Sequence, residues 1–275
     1  MSCVRVRIVP LLAVSLLLTV PTVVQAQLVG GPKPQTTAPP LQGVLTAFRT
    51  TFGIQRFAGA HADTAFDWDV DLSVDFDMVD LGFVRINTFG SVETIIGSEF
   101  RPVDPNQNNY TVDFTVFLRL PRGELATMFH HVSRHLVDRV GRAGVSWNMI
   151  GLAYGDRFLV GDFSIDTWAR GMGTVGRAGV DYQGQFEGHV NVARPISARM
   201  ALIAGAYGAV VPVEVATFGR TTRSGGRAEG GVRLKAGAAA LDLFVAWERR
   251  IDAMTIERDS VSWAQLGFRL AAPAP

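Results

Sequence analysis

The stretch FDWDVDLSVDFDM, Phe66 to Met78, places an apolar residue at every even position and an aspartate at five of the six odd ones. Successive side chains of a β-strand point to opposite faces, so this segment requires an apolar environment on one side and a polar one on the other. Outward from it the same period recurs. Tyr110 to Leu120 has Tyr, Val, Phe, Val, Leu and Leu at even positions. Val180 to Val192 has Asp181, Gln183, Gln185, Glu187, His189 and Asn191 at odd ones. A weaker case sets Leu241, Leu243, Val245 and Trp247 opposite Asp242 and Glu248.

A soluble β-sandwich also alternates, so connection lengths have to decide. Strands are expected near 46–57, 65–78, 82–96, 110–120, 124–135, 143–154, 157–168, 179–192, 196–207, 227–236, 240–249 and 260–270. The breaks VDL, PRG, GDR, ARP and AGA after even-numbered strands are tight. Those after odd-numbered strands, such as GSEFRPVDPNQNN and RGMGTVGRAG, are longer. Twelve strands with alternating short and long connections define an all-β fold, a single antiparallel transmembrane barrel of the bacterial outer membrane, with its short turns facing the periplasm. Phe66, Trp68, Val70, Leu72, Val74, Phe76 and Met78 should then face lipid. Asp67, Asp69, Asp71, Asp75 and Asp77 should face the lumen, because a strong charge in hydrocarbon costs ~2–4 kcal/mol. Arg85, Arg49 and Arg56 are the expected partners of these aspartates; two carboxylates sharing one cation are the alternative.

The amino terminus agrees with export. Arg5 and Arg7, the apolar run Ile8 to Val20 and the small-residue site Val24-Gln25-Ala26 read as a cleaved signal peptide over 1–26. Residues 27–45, rich in Pro, Gly and Thr, read as a flexible periplasmic lead-in, 46–270 as the barrel and 271–275 as a tail. Cys3, the single cysteine, lies in the leader, which excludes disulfides and a cysteine nucleophile from the mature chain. Without Arg5 and Arg7 the basic side chains fall one short of the 25 acidic ones, so charge gives no argument for a nucleic-acid partner. Lys33 and Lys235 are the only lysines; arginine supplies the rest and suits bidentate pairing with carboxylate or phosphate. Arg139, Arg142, Arg170, Arg177, Arg220, Arg223, Arg249, Arg250 and Arg258 are expected in the long connections, where lipopolysaccharide phosphates are the partner they suit.

Three of the five histidines crowd into FHHVSRHLVDR, Phe129 to Arg139. His131, Ser133 and His135 share one strand face with Leu125, Thr127 and Phe129. Ser146 and Asn148 share the next strand's face with Ile150, Leu152 and Tyr154. Centring the loop between Arg139 and Val140 sets His131 opposite Asn148, with Cβ atoms ~5 Å apart. A serine becomes nucleophilic when an adjacent base takes its proton and a third group fixes the base's tautomer. Ser133, His131 and Asn148 supply those roles. The alternative is an interfacial polar girdle. His130 is expected to face the lumen, as is His189, and His61 to lie in a loop. The motifs GxSxG and HExxH do not occur.

The pattern His131-x-Ser133 followed by Ser146-Trp147-Asn148 resembles the active-site hairpin of the outer-membrane phospholipase A family. That resemblance implies a twelve-stranded barrel whose outward-facing serine, histidine and asparagine hydrolyse phospholipid acyl esters, with Ca2+ as cofactor and a homodimer as the active form. The chain departs from it in Arg134-His135 after the serine, in a longer loop, and in Asp138 as that loop's single carboxylate. The longer pattern His131-x-Ser133-x-His135-Leu136-x-Asp138 is also similar to a bacterial family of unknown function. A lipopolysaccharide deacylase with a related His-x-Ser is a third likeness, without a counterpart here for its acidic member. The functional expectation is a lipid acyl-ester hydrolase. Its alternative is a non-catalytic barrel serving as a narrow pore or a structural protein.

Overall fold

The structure, a computed structural model, describes residues 42–58, 64–138, 144–254 and 258–272. Its strands are β1 (Gly43–Ala58), β2 (Trp68–Asp80), β3 (Val84–Gly97), β4 (Asp104–Arg119), β5 (Glu124–Leu136) and β6 (Gly144–Val160). They continue as β7 (Phe163–Ala178), β8 (Gly184–Ser197), β9 (Met200–Val211), β10 (Arg223–Ala236), β11 (Ala239–Arg250) and β12 (Val261–Ala272). Each strand pairs antiparallel with its sequence neighbours, and β12 returns to β1 from Ala58 opposite Ala264 to Thr50 opposite Ala272. Closure leaves no sheet edge, which is what allows strands to cross a bilayer with every backbone group paired. The expected signal peptide 1–26, most of the lead-in, His61, Arg139, Arg142 and the last three residues lie outside the described residues.

The alternation that opens the sequence is realised along β2. Leu72 is 52% exposed on the outer face, while Asp69 and Asp77 are fully buried inside. Arg85 reaches Asp77 at 2.6 Å and Glu124 at 2.8 Å, and Arg49 reaches Asp75 at 3.2 Å. Two expectations fail at the strand's upper end. Phe66 does not face lipid: it precedes β2 and is buried against Phe57 and Trp263, with ring centroids 5.8 and 4.8 Å away. Arg56 is not a lumenal partner, because the pairing of Arg56 with Trp68 puts both outside, the guanidinium 5.5 Å from the indole centroid. Gln55 takes the inward place and donates to Asp69 at 2.9 Å.

Strand boundaries moved where the polar residues point inward or the outward ones are glycine. Residues 104–109, read as loop, begin β4; Asn106, Gln107 and Asn109 are buried and hydrogen-bonded among themselves and their neighbours. The break GDR belongs to β6, where Arg157 pairs with Asp166. The reversal falls instead at Gly161-Asp162, with Gly161 at φ 58°, a left-handed conformation that glycine adopts at little cost. Likewise ARP lies within β8 and RGMGTVGRA within β7. Outward glycines 171, 173 and 176 leave no apolar signal in the sequence of β7.

Inside, the charged side chains pair across the lumen. Arg250 joins Asp69, Glu93 and Glu248 at 3.0, 2.9 and 2.7 Å. His130 Nδ1 lies 2.6 Å from Asp113, and Asp113 is shared with Arg170, which also pairs with Glu187. Charges removed from water are tolerated when each has such partners. Arg170 and Arg250 therefore leave the set of loop cations expected to meet lipopolysaccharide. Arg177 pairs with Glu214, and Arg220 forks onto Asp181 and Asp252. Above this layer, at the long-connection end, the cluster of Met128, Val132, Trp147, Met149, Met172, Tyr182, Val211 and Ile251 packs inside the barrel. Below it a cavity of about 420 Å³ runs between β1–β3 and β6–β12, from Glu248 and Arg250 to Arg157 and Asp166 beside the short turns.

Candidate active site

The outer surface of β4 to β7 at the long-connection end is where the belt turns from apolar to polar. On β6, Ile150 and Leu152 are 52% and 61% exposed; two residues above Ile150 the same face carries Asn148 and then Ser146. On β5 the face passes from Leu125 and Phe129 to His131, Ser133 and His135. His131 is directly opposite Asn148 and Ser133 opposite Ser146, the register that centring the loop between residues 139 and 140 predicts. Imidazole Nδ1 and amide Oδ1 are 2.7 Å apart. Because Oδ1 only accepts, Nδ1 carries the proton in this contact, and in the neutral ring Nε2 keeps its lone pair. That is the tautomer a general base needs.

Neighbouring strands complete the surroundings. Ser133 has Tyr110 of β4 directly opposite on its other side, and His135 has Asn108. The Tyr110 and His135 rings meet edge to face at 5.9 Å, and Asn108 Nδ2 donates to the Tyr110 hydroxyl at 3.3 Å. On the β7 side Asn148 faces Gly176, and a bulge between Asn148 and Met149 places the extra residue, Val175, on β7. A Cβ on Gly176 would lie 3.4 Å from the Asn148 amide nitrogen. Bulges of this kind re-aim side chains beside functional sites. Sequence reading missed Tyr110 as a neighbour of Ser133. The tight turn Leu120–Gly123 carried the signal, since counting back equally along both strands from it pairs the two residues.

His130, one residue before His131, points the other way into the lumen with Asp113, as its parity requires, and His189 is lumenal with its Nδ1 accepting from Trp168 at 3.1 Å. The loop of this hairpin offers calcium a single carboxylate. That carboxylate, Asp138, is ion-paired with Arg101 at 2.6 Å, and no group of three metal-ligating acidic, histidine or cysteine side chains gathers among the described residues.

A closed antiparallel barrel with an apolar outer belt and an ion-paired interior defines the class: this is a β-barrel protein of the bacterial outer membrane. No protein-family model and no curated protein sequence matches the chain. Among solved structures it is similar to outer membrane phospholipase A from Escherichia coli, at 10% identity and a TM-score of 0.50, over 81% of this chain and 92% of that one. The outer membrane phospholipase dimer of Salmonella typhi, solved with bound calcium, gives the same identity and score over 81% and 90%. LpxR from Salmonella typhimurium is 6% identical over 82% and 99%, with a TM-score of 0.48. Likeness at this identity concerns the fold.

Proposed function

We propose that the protein is an outer-membrane hydrolase of lipid acyl esters. Ser133 Oγ attacks the ester carbonyl, His131 Nε2 takes the serine proton and returns it to the departing alcohol, and Asn148 holds the imidazole by its Nδ1–H. The observation that carries this reading is the 2.7 Å His131–Asn148 contact on the lipid face, next to Ser133 on the same strand face. Lumenal His130 is built into an ion-paired network with Asp113 and Arg170, whereas His131 meets a neutral amide on the outer face. Base-assisted attack by a serine held this way is worth many orders of magnitude in rate.

Hydrolysis of phospholipid and of lipopolysaccharide by the refolded protein in detergent tests it, wild type against Ser133→Ala, with and without calcium. Equal heat-modifiability on a gel controls for folding. Loss of activity in the folded variant supports the mechanism, and absence of activity in both proteins on every substrate removes it. Calcium independence is expected, from the Asp138–Arg101 pair.

The passive-barrel alternative draws on the 420 Å³ cavity. Conduction, however, requires the Arg250 layer to part, and its three carboxylates all lie within 3.0 Å of the guanidinium.

A further inference from the structure

An acyl transfer needs a hydrogen-bond donor where the carbonyl oxygen becomes an anion. Resting on the hydrolase reading above, we infer that the Tyr110 hydroxyl is that donor. Tyr110 is directly opposite Ser133 across β4 and β5, so their Cβ atoms are ~5 Å apart on the outer face. Its ring is held on the long-connection side of Ser133 by the edge of His135, centroids 5.9 Å apart, and the next outward residue of β4, Asn108, anchors its oxygen. Asn108 Nδ2 donates to that oxygen, and the phenol hydrogen has no acceptor among the described residues. A phenol that already accepts one hydrogen bond donates its own proton more strongly, since chained hydrogen bonds polarise one another.

The step balances without further groups. Ser133 Oγ bonds to the carbonyl carbon as its proton passes to His131 Nε2, and the carbonyl π pair moves onto oxygen, where the Tyr110 O–H donates without transferring. Collapse restores the carbonyl, breaks the bond to the alcohol oxygen and delivers the His131 proton to it. Water then repeats the sequence on the acyl-serine.

The test is steady-state hydrolysis of a short-chain phosphatidylcholine in detergent by the full refolded chain, as wild type, Tyr110→Phe and Asn108→Asp, each checked for heat-modifiability. Tyr110→Phe keeps the ring and its packing on His135, so kcat should fall roughly 10²- to 10³-fold with KM within threefold. Asn108→Asp replaces the donor with an acceptor, engages the phenol hydrogen, and should lower kcat in the same direction. Labelling of Ser133 by an alkyl fluorophosphonate should slow in parallel, because its phosphoryl oxygen occupies the same place. A Tyr110→Phe enzyme with wild-type kcat overturns the assignment while leaving the hydrolase intact, and so does a change confined to KM. A wild type that neither hydrolyses ester nor takes the label overturns the hydrolase reading and this inference together.

Discussion

Asn148 stands between His131 and Gly176: its Oδ1 lies 2.7 Å from the imidazole, and a Cβ on Gly176 would come within 3.4 Å of its Nδ2. The amide that fixes the histidine is therefore set against a strand position with no side chain. Gly176→Val should leave the barrel folded, or stabilise it slightly, because a β-branched residue suits a strand better than glycine. The added methyls crowd the amide, and ester hydrolysis should drop roughly ten- to a hundredfold. Comparing urea midpoints in vesicles with hydrolysis rates separates the two effects; a parallel loss of both would contradict it.

Asn148→Ala removes the acceptor from Nδ1–H and frees the imidazole to rotate and to change tautomer. Hydrolysis should decrease by roughly 10²-fold or more, with the barrel still heat-modifiable. Unchanged turnover would show that Asn148 only fills the girdle.

Arg85 is completely buried between Asp77 and Glu124, with its guanidinium carbon 3.6 Å from the Phe117 ring centroid. Arg85→Met nearly preserves volume and removes the guanidinium that two buried carboxylates, Asp77 and Glu124, share. Removing one partner of such a pair costs about 3–5 kcal/mol, read as a lowered urea midpoint of unfolding in vesicles. Adding Asp77→Asn and Glu124→Gln to Arg85→Met, a triple variant, should recover part of the loss, because the two buried negative charges are then gone.

Val74 and Ser73 are neighbours on opposite faces of β2. Val74→Arg should destabilise the membrane-inserted barrel by about 2–4 kcal/mol, as expected for an arginine facing hydrocarbon near mid-depth, whereas Ser73→Arg should fold into the cavity that Ser73 lines. Equal effects at the two positions would overturn the lipid-facing assignment of the even residues.

Arg220 holds the connection after β7 against the one after β11, reaching Asp181 at 2.5 Å and Asp252 at 2.7 Å. Burial opposes ionisation of Asp181, but the hydrogen bonds and charge of Arg220 outweigh it and keep this carboxyl below the usual carboxylate range. The sign follows: a depressed carboxyl pKa stabilises the folded state above the unfolded value and loses that contribution as pH falls through the folded one. Protease resistance of these connections should therefore persist at neutral pH and fail on acidification below about pH 4, and Arg220→Gln should abolish the dependence.

What the sequence determined by itself was the environment of each face. Aspartates alternating with Leu, Val and Trp along Trp68 to Met78 admit one arrangement between lipid and lumen, and His131, Ser133 and Asn148 acquire a shared outer face from parity alone. Even their pairing could be counted from the loop, because antiparallel register runs one residue for one residue from a reversal. Parity could not tell where a strand stops when its outward residues are Gly171, Gly173 and Gly176, nor that Asn106, Gln107 and Asn109 would be paid for by buried hydrogen bonds. It also left Arg56 as a partner for the aspartates, when one residue of phase puts it against Trp68 instead. Those outcomes belong to the closed barrel: closure brings Arg250 of β11 against Asp69 of β2 and Arg170 of β7 against Asp113 of β4, contacts between residues 181 and 57 positions apart. Only when the lumen is folded around them do these charges find their partners.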